Sequence, residues 1–491
     1  MEEENDLIKE RLRKLEALKK DGIYPYGSRY DKSSYLSELI EHFEEGKAVV
    51  TAGRIVASRS HGKSAFCDLK DPTGRIQLYF KLDIVGEKLF KLLDLLDIGD
   101  FIGVKGELFK THTGEPTIKV VEFTVLSKGL RPLPEKWHGL KDIETRYRQR
   151  YVDLIGNEDA RTVFKLRSLI ISKIRAFFDT RGYLEVETPM LHQIPGGAAG
   201  RPFVTHHNAF DMDLYLRIAP ELYLKKLLVG GFEKVYEINK SFRNEGISTR
   251  HNPEFTMLEA YTAYSDCEGM MQLTEELLSH LAKEIFGTMK IKYKDNEIDL
   301  TPPWKRLSFA EAMRKVGIHP GASSAEWAEG IKKIRKDKGA EKLEKLTRSQ
   351  LAKVIEDLLE PEGDAKLQPT FFIDIFSEFC PLAKSKTNDP LIADRFELLL
   401  AGIEVANAYS ELNDPIEQKK RFEEQVAAGD EDIKVVDYDF VEALEYGMPP
   451  AGGLGIGIDR LVMMFANCDS IRDVILFPQL KPQFKPIKNE T

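Results

Sequence analysis

The sequence predicts an α+β protein in which a small β-barrel precedes a larger domain of mixed strands and helices. Two stretches carry this prediction. Between Ala48 and Ser127, short β-rich runs alternate with Gly-containing turns, which is typical of an all-β unit. From Lys234 to Tyr264, two runs of alternating residues flank a short polar loop and predict an antiparallel hairpin. A chain of 491 residues is long enough for two or more domains with cores of their own.

The composition indicates a soluble protein of the cytoplasm. The chain is 42% hydrophobic and 31% charged, and it contains no apolar run of membrane-spanning length. Its first residues, MEEENDLIKE, lack the basic-then-apolar order of a secretion signal. Four scattered cysteines form no Cys-x-x-Cys pair, so neither a zinc site nor a disulfide framework is indicated. We therefore expect reduced thiols, a cytoplasmic location and no membrane partner.

The charge distribution limits how the chain could bind a nucleic acid. Its net charge is -9, whereas phosphate binding depends on Lys and Arg. The first 150 residues are nevertheless close to neutral, with 27 Lys+Arg against 25 Asp+Glu. Binding of RNA would therefore depend on local patches and base contacts and not on a general basic field.

Residues 1–47 are expected to form an N-terminal helical segment. Leucines recur among charged residues between Asp6 and Lys20, which predicts an amphipathic helix that Gly22 and Pro25 bring to an end. The basic residues of this helix could touch RNA, but a solvated helix face is the favoured interpretation.

Residues 48–127 are predicted to form a five-stranded barrel. The β-rich runs are VVTAGRIVAS, AFCDLKD, RIQLYFKL, FIGVKGELFK and TIKVVEFTVL. One helical stretch, near Glu87 to Leu96, separates the third run from the fourth. This order is the one expected of an OB-fold, a barrel that often binds single-stranded nucleic acid by stacking bases on aromatic rings.

The remaining chain is expected to consist of a linker and one large domain. Residues 128–155 are rich in Pro, Gly and Arg and predict a linker that opens into a helix. A helix over Ala160 to Arg181 and a strand over Gly182 to Pro189 begin the domain of residues 156–491. Residues 305–365 are rich in Lys and Glu and predict a helical insertion with a solvated surface, to which we assign no chemistry.

One face of the predicted hairpin is suited to a ligand. In its first run Tyr236, Ile238 and Phe242 share one parity, and charged or polar residues share the other. In the second run a single face carries Phe255, Met257, Glu259 and Tyr261. An aromatic ring and a carboxylate along one line are unusual for a core strand and favour a ligand floor. A half-solvated hairpin with a cross-strand ion pair remains the alternative.

Three segments of the chain resemble the signature motifs of one enzyme family. Phe242-Arg243, Glu245, Phe255 and Glu259 resemble motif 2 of the class II aminoacyl-tRNA synthetases. The stretch from Arg181 to Pro189 resembles motif 1, and GLGIGIDR, from Gly453 to Arg460, resembles motif 3. The wider string from Arg217 to Gly246 is similar to the lysyl-tRNA synthetase family. The motifs occur in family order, and the similarity extends to the region before motif 1.

The resemblance implies the architecture and the activity of the chain. Residues 156–491 would form a class II catalytic domain, an antiparallel sheet flanked by helices, and motif 1 would build a homodimer interface. The activity would be ATP-dependent ligation of L-lysine to tRNA(Lys) through a lysyl-adenylate, with release of AMP and diphosphate. The implied partners are therefore tRNA(Lys), ATP and L-lysine, and the implied metal is Mg²⁺.

A second polar stretch, DRFELLLAGIEVANAYSELND from Asp394 to Asp414, requires cations. Carboxylates among Leu, Ile, Val and Ala would cost several kcal/mol if they were not neutralised. By resemblance, Glu397 and Glu404 are magnesium ligands, and Asn407 and Glu411 help to hold ATP and lysine. Strict alternation would place Glu404 on the face opposite Asn407 and Glu411, so we expect a bulge or twist between Glu404 and Asn407. Tyr409 in this stretch stands where many relatives have Phe.

The resemblance also assigns the amino-acid site. The backbone of Gly197, in the small-residue loop after Gln193, and the carboxylate of Glu221 would hold the α-amino group of lysine. Arg243 would bridge the lysine carboxylate and the α-phosphate. The anionic end for the ε-ammonium would consist of Glu259, Tyr261 and Glu411. An anionic end would repel aspartate, which favours lysine over the aspartyl and asparaginyl relatives. Glu221 alone is also consistent with an ordinary first-turn helix acid.

The nucleotide site follows from motifs 2 and 3. Glu245 would read the adenine amino group, and Phe255 and Arg460 would enclose the ring. His251 and Asn252 would contact phosphates or ribose. The alternative for motif 3 is a plain helix N-terminus capped by Asp459. A dinucleotide fingerprint is excluded because Ile458 stands where the third Gly would be needed.

In the barrel, the resemblance implies recognition of the anticodon. Phe66 would stack on its central uridine, Gln77 would hydrogen-bond to the same base, and Glu115 would contact another base. Without the family placement, Phe66 would be interpreted as a core residue.

Three hypotheses follow for the function. The first is a lysine–tRNA ligase. The second is an aspartyl- or asparaginyl-type ligase, or a paralogue that transfers lysine to a translation factor; that paralogue lacks the barrel. The third is a non-catalytic RNA-binding regulator on the same fold, which should have lost Arg243, Glu404 or Arg460, and all three are present.

Overall fold

The computed structural model describes residues 2–133, 140, 142–198, 200–334, 340–359, 364–427 and 435–482. The chain divides into two compact units, Met1–Lys141 and Asp142–Thr491. Among the described residues, no helix is both long and apolar enough to cross a membrane.

In its described residues, the first unit contains three α-helices and five strands. In chain order these are α1 (Glu2–Lys20), α2 (Leu36–Glu41), β1 (Ala48–His61), β2 (Ser64–Lys70), β3 (Arg75–Lys81), α3 (Leu82–Leu92), β4 (Phe101–Lys110) and β5 (Pro116–Ser127). The strands close into a barrel in the order β1-β2-β3-β5-β4, and α3 lies between β3 and β4. The predicted OB-fold order is confirmed, although the helix begins at Leu82 and not near Glu87.

Alternation along the strands builds the barrel core. On β2, Ala65, Cys67 and Leu69 are buried, whereas Phe66 between them is half-exposed. Side chains of successive residues point to opposite faces of a strand, so Phe66 lies on the outer surface. The interpretation of Phe66 as a core residue is therefore wrong.

The second unit holds the remaining elements. Its helices are α4 (Ile143–Arg148), α5 (Arg150–Gly156), α6 (Glu158–Asp179), α7 (Glu221–Val229), α8 (Cys267–Phe286), α9 (Phe309–Lys315), α10 (Ser324–Ile334), α11 (Arg348–Leu359), α12 (Asp364–Leu367), α13 (Pro415–Ala427), α14 (Tyr438–Glu445), α15 (Ile458–Phe465) and α16 (Ile471–Val474). Its strands are β6 (Leu184–Glu185), β7 (Leu191–His192), β8 (Val204–His207), β9 (Met212–Leu216), β10 (Lys234–Phe242), β11 (Glu254–Ala263), β12 (Lys290–Tyr293), β13 (Asn296–Asp299), β14 (Lys305–Ser308), β15 (Thr370–Ile373), β16 (Ser385–Lys386), β17 (Asp389–Ala393), β18 (Arg395–Leu400), β19 (Ile403–Ser410) and β20 (Ala451–Gly457).

An eight-stranded sheet forms the centre of the second unit. Its strand order is β14-β15-β18-β19-β20-β11-β10-β6. Neighbouring strands are antiparallel except for the outer pairs β14–β15 and β10–β6. The α+β class and the antiparallel sheet with flanking helices are thus confirmed. The strand predicted over Gly182 to Pro189 is observed only at Leu184–Glu185.

Apolar packing holds helices to one face of this sheet. Phe178 of α6, Leu278 of α8 and Val462 of α15 are fully buried in one cluster with Leu258 of β11 and Ile456 of β20. Burial of this apolar surface is the main driving force for attaching the helices to the sheet. Alternate residues of the same strands face the opposite side, where the polar groups described below are gathered.

The Lys- and Glu-rich region contains a small apolar core of its own. Helices α9, α10 and α11 bury Phe309, Trp327 and Leu351 in a cluster with Phe372 and Phe376. The guanidinium of Arg348 lies 3.7 Å from the centre of the Trp327 ring and donates to Glu378 at 2.6 Å.

Candidate active site

Three neighbouring strands form the floor of a cavity of about 690 Å³ in the second unit. The register between β11, β20 and β19 places residues in rows across the floor. One row consists of Glu259, Gly455 and Asn407, and the next row consists of Tyr261, Gly453 and Tyr409. The acidic and aromatic residues of the predicted hairpin therefore share one face with residues that lie about 150 positions later in the chain.

Glycine in the middle strand keeps this floor open. A Cβ atom at Gly453 would lie 1.9 Å from Oε1 of Glu411 and 2.6 Å from Cε1 of Tyr261. Real Cβ atoms do not approach other atoms so closely, and a neighbouring carboxylate in this space would have to move. The glycines of motif 3 thus leave room between two polar strands, which differs from the backbone turn that a dinucleotide fingerprint needs.

The polar face of the hairpin is buried and satisfied. Glu237, opposite Glu259 in the pairing of β10 with β11, is 3% exposed, and Glu259 is 6% exposed. Glu237 accepts hydrogen bonds from Arg217 at 2.6 Å and from Thr188 at 2.7 Å. A half-solvated hairpin is therefore excluded, and Glu259 remains directed at the cavity.

Three carboxylates meet at one end of the cavity. Glu221 opens α7, Glu259 lies on β11 and Glu411 follows β19, and all three are buried and line the cavity. Tyr261 donates to Glu259 at 3.1 Å, and Tyr409 donates to Glu221 at 2.6 Å. Oε1 of Glu411 has no hydrogen-bond partner among the described residues. An unsatisfied buried acceptor is expensive, so this end of the cavity is suited to a donor from a ligand.

One internal cation neutralises part of this charge. The fully buried ammonium of Lys225 forms ion pairs with Oε1 of Glu221, at 2.7 Å, and with Oε2 of Glu411. Burial opposes the charged form of Lys225, but the two carboxylates outweigh it and raise the pKa of the ammonium.

Among the described residues, no cation forms an ion pair with Glu259, although Arg217 acts on it from a greater distance. Burial of Glu259, with the negative charge of Glu221 nearby, raises the pKa of the Glu259 carboxyl to about 8. The pKa of Glu411 is also raised by burial, and Lys225 opposes this change. Burial next to carboxylates raises the pKa of Tyr261 and Tyr409, which therefore stay protonated donors.

Arg243 lies between the two ends of the cavity. Its guanidinium is 5.2 Å from the centre of the Phe255 ring, and its Nε has no hydrogen-bond partner among the described residues. Burial lowers the pKa of Arg243, with Glu245 as the largest opposing charge. Arginine remains cationic in proteins, so the Nε–H of Arg243 can donate a charge-assisted hydrogen bond to an anion.

The other end carries a second arginine. Arg460, in the first turn of α15, donates to the backbone oxygen of Glu404 at 2.7 Å and to its carboxylate at 3.2 Å. Nε2 of His251 lies 3.2 Å from Arg460. Burial is the larger cause that lowers the pKa of His251, and the positive charge of Arg460 lowers it further. Phe255 and Glu245 line the cavity here.

Asp459 does not cap the helix of motif 3. Its carboxylate accepts from the backbone of Thr256 at 2.7 Å and from Arg167 at 2.6 Å. The alternative of a plain Asp-capped helix end is therefore wrong.

Asn252 lines the cavity, but its side-chain amide is used within the chain. It donates to the backbone of Glu254 at 2.6 Å and accepts from Gln479 at 3.2 Å. Its contact with phosphate or ribose stays a prediction.

The predicted bulge on β19 is confirmed. Leu398 pairs with Ala406 and Leu399 pairs with Glu404, so Val405 is the extra residue between Glu404 and Asn407. The bulge reverses the alternation and lets Glu404 and Asn407 both line the cavity.

Glu397, on the neighbouring strand β18, is held by Arg395. The guanidinium donates to Glu397 at 2.5 Å, to Asn407 at 3.1 Å and to the sulfur of Cys380 at 2.8 Å. Arg395 and Glu404 line the cavity, whereas Glu397 lies behind Arg395 and contacts the guanidinium of that residue. Among the described residues, no group of three or more His, Cys, Asp or Glu side chains is arranged to hold a metal.

Gly197 occupies the predicted place beside Glu221. It has a positive φ of 88°, and a Cβ at this position would lie 3.1 Å from Cβ of Glu221. Glycine is the residue that adopts this conformation without strain.

Lys225, Tyr409 and Arg395 are site residues that the sequence patterns did not predict. Tyr409 shares parity with Asn407 and Glu411, and Lys225 lies one helical turn after Glu221. Both spacings could have indicated a shared face. The contact of Arg395 with Cys380 joins positions with no periodic relation and could not have been predicted.

The three predicted barrel residues lie on the same outer surface. Phe66 pairs with Tyr79 across β2 and β3, with ring centres 4.9 Å apart, and Phe109 extends this row at 5.9 Å from Tyr79. Gln77 donates to Glu115 at 3.3 Å. The surface therefore presents a row of tilted aromatic rings beside the exposed side chain of Glu115, and Gln77 is buried next to Glu115.

Comparisons with known proteins match both units. The family model described as "tRNA synthetases class II (D, K and N)" matches residues 142–481, and the model "OB-fold nucleic acid binding domain" matches residues 49–126. The chain is 55% identical to the lysine–tRNA ligase of Pelotomaculum thermopropionicum, over 98% of this chain and 96% of the relative. It is 53% identical to the lysine–tRNA ligase of Moorella thermoacetica, over 98% of this chain and 99% of the relative.

Proposed function

This chain belongs to the tRNA synthetases of class II (D, K and N), and we propose that it ligates L-lysine to tRNA(Lys) with consumption of ATP. The homodimer implied by motif 1 and the cytoplasmic location remain predictions.

The observation that carries the choice of lysine is the charge at the end of the cavity. Among the described residues, Lys225 is the cation that forms ion pairs within the group Glu221, Glu259 and Glu411, so these carboxylates would exceed it by two once all three are ionised. Lysine carries two ammonium groups, one for each uncompensated carboxylate. Its α-amino group would meet Glu221 and the backbone of Gly197, and its ε-ammonium would meet Glu259, Tyr261 and Glu411. Charge-assisted hydrogen bonds of this kind are shorter and stronger than neutral ones.

The same charge excess argues against the alternatives. The side-chain carboxylate of aspartate would be repelled, and asparagine would leave the carboxylates without a cation. The presence of Arg243, Glu404 and Arg460 in the cavity argues against a non-catalytic regulator.

In the first step, an oxygen of the lysine carboxylate attacks the α-phosphorus of ATP. The new P–O bond forms lysyl-adenylate, and the bond to the bridging oxygen of diphosphate breaks. Arg243 is supported as the group that holds the carboxylate against the α-phosphate, because its unpaired Nε and its burial suit charge that grows between two anions.

The nucleotide would lie at the end marked by Phe255 and Arg460. An aromatic ring and a planar guanidinium can enclose adenine between them, and Glu245 would accept from the adenine amino group. His251 and Asn252 would contact phosphate or ribose.

Magnesium is implied by the family, and Glu397 and Glu404 are the carboxylates that would hold it. An ion that also binds phosphate oxygens needs only one or two carboxylates, which fits the pair on β18 and β19. When bound, it would neutralise the triphosphate. Arg395 and Arg460 now compensate the two carboxylates and keep both groups in place.

In the second step, a hydroxyl of the terminal adenosine of tRNA attacks the carbonyl carbon of lysyl-adenylate. The ester bond forms, AMP leaves, and the hydroxyl proton is released. The barrel would select the tRNA through its anticodon, with Phe66 stacking on the central base and Gln77 and Glu115 contacting base edges.

The test is amino-acid-dependent exchange of labelled diphosphate into ATP, with lysine, ornithine and aspartate compared. We expect rapid exchange with lysine, none with aspartate, and exchange with ornithine that is weaker by about 10- to 100-fold, because one methylene less loses packing and reach. Absence of exchange with lysine would overturn the proposed function.

A further inference from the structure

Lys225 occupies a place in the amino-acid site that resembles the place of a substrate ammonium. Its side chain is fully buried on α7, and its Nζ lies between Glu221 and Glu411. The same Nζ is 5.4 Å from the centre of the Tyr409 ring. Because Tyr409 itself donates to Glu221, these groups form one connected network at the amino-acid end of the cavity.

This network joins the two subsites that lysine would occupy. Glu221 is the acceptor proposed for the α-amino group, and Glu411 is one of the acceptors proposed for the ε-ammonium. A single ammonium bonded to both carboxylates restricts how far apart they can move. Charge-assisted hydrogen bonds in a buried site are strong and directional, so the position of each carboxylate is determined by Lys225 as well as by the backbone.

The ion pairs also decide which carboxylates can accept charge. Without Lys225, three buried carboxylates would face one another and repulsion would favour protonation of more than one. With Lys225, Glu221 and Glu411 share one cation, which opposes the effect of burial on the pKa of Glu411, whereas the pKa of Glu259 is raised to about 8.

We propose that Lys225 is a positioning residue that determines amino-acid specificity: it ties Glu221 to Glu411 and so creates a site for a substrate with two ammonium groups at a defined separation. This inference rests on the proposed function, and it concerns a residue that does not itself have to touch the substrate.

Lys225→Met tests the proposal because methionine keeps most of the apolar stem and removes the charge. We expect the KM for lysine to rise about 30-fold or more, because the ammonium that holds the acceptor carboxylates of Glu221 and Glu411 in place is lost. The kcat and the KM for ATP should change by less than about threefold, since the contacts of Lys225 are with Glu221, Glu411 and Tyr409, which belong to the amino-acid end of the cavity. Preference for lysine over ornithine should narrow.

The pH profile separates positioning from a merely structural role. The charged and titratable groups around Lys225 and the neighbouring carboxylates are Glu221, Glu237, Glu259, Glu411, Tyr261, Tyr409, Arg217 and Arg243. In the native protein, Lys225 opposes the burial that raises the pKa of Glu411, so lysine binding should displace mainly the proton of Glu259, and log KM falls with a slope of up to about -1 below pH 8. In Lys225→Met this opposition is lost, the pKa of Glu411 rises further, and the slope should steepen toward about -2.

A matched control uses the next residue of the helix. Lys226 forms its ion pair with Asp439, outside the carboxylate cluster, and is partly exposed. Lys226→Met should leave the KM for lysine and its pH slope unchanged.

Lys225→Ala provides a second variant that does not depend on methionine packing. Propylammonium approximates the deleted side chain and should partly restore the KM for lysine, after correction for its competition in the native protein. An unchanged pH slope in Lys225→Met, or no rescue of a folded Lys225→Ala, would overturn the proposal. If the native protein shows no lysine-dependent exchange, the proposed function fails and this inference fails with it. If the native protein shows lysine-dependent exchange and the Lys225 variants have the same KM for lysine and the same pH slope, the proposed function stands and the inference alone fails.

Discussion

At the scale of single residues, the amino-acid site is a balance of buried charges. Within the described part of the chain, Glu259 is the member that no cation pairs with, and burial raises its pKa to about 8. Arg243 is the member with an unused donor, because its Nε has no partner among the described residues. Each of these two groups has a measurable consequence.

The affinity for lysine should depend on pH through Glu259. Below about pH 8 the empty site holds a neutral carboxyl, which must lose its proton to accept the ε-ammonium. The KM for lysine should therefore fall as the pH rises from about 6 to 8, by up to about tenfold per unit, and level off above pH 8. Diphosphate exchange measured across this range checks the expectation. In Glu259→Gln the slope should vanish and the KM should be high throughout; a slope that persists would assign the titration to another group.

The planar, two-pronged geometry of Arg243, and not only its positive charge, should be essential for adenylate formation. Lysine at this position keeps a cation but loses the planar fork that can hold two anions at once. We expect Arg243→Lys to lower the kcat of diphosphate exchange by about 100-fold or more. Arg306→Lys, in an exposed ion pair with Glu268, is the matched control and should stay within about twofold. Near-native exchange in Arg243→Lys would show that the bidentate geometry is not needed.

At the scale of elements, the decisive feature is the glycine strand β20 between two polar strands. At Gly453 the side chains of Glu411 and Tyr261 occupy the space that a Cβ atom would need, so no residue other than glycine fits there without moving them. The bulge at Val405 on β19 is the complementary feature, because it turns Glu404 to the face that Asn407 already occupies.

Gly453→Ala should damage the lysine end of the cavity selectively. The new methyl group must displace Glu411 or Tyr261, and overpacking of this kind is costly. We expect the KM for lysine to rise about tenfold or more, with the KM for ATP little changed. Kinetics with each substrate varied in turn check this, and the unfolding temperature identifies a variant that is merely unstable. An equal rise in both KM values would contradict a local effect.

At the scale of the whole molecule, two units carry two different tasks. The sheet of the second unit holds the polar cavity, and the barrel of the first unit presents the row Phe66, Tyr79 and Phe109. If the barrel reads the anticodon, a change there should affect tRNA charging and leave adenylate formation intact.

Phe66→Ala should separate the two activities. Loss of one stacked base contact is expected to lower kcat/KM for tRNA charging about tenfold or more, while lysine-dependent diphosphate exchange stays at the native rate. Phe101→Ala, at the opposite end of β4 from Phe109, removes an equal ring from the same barrel and should leave charging unchanged. Equal charging by both variants would refute a role of Phe66 in tRNA selection.

Much of the fold was predictable because it depends on local pattern. The order of the barrel strands and the hairpin β10–β11 follow from alternation and turn residues. The bulge on β19 was predicted from the parity of Glu404 against Asn407 only because the family resemblance placed both residues in one site. Residue roles in the motifs came from family resemblance, since a single Arg or Glu in a strand has several ordinary explanations.

The sequence by itself determined the alternation of side chains along the regular strands and that the carboxylates of the second polar stretch need cations. Only the tertiary structure decided where those cations come from. Lys225 meets Glu411 across a large separation in the chain, and Arg395 meets Cys380 without any periodic relation. Periodicity describes neighbours within one element, whereas a buried ion pair depends on how distant elements pack and on the cost of leaving either charge alone.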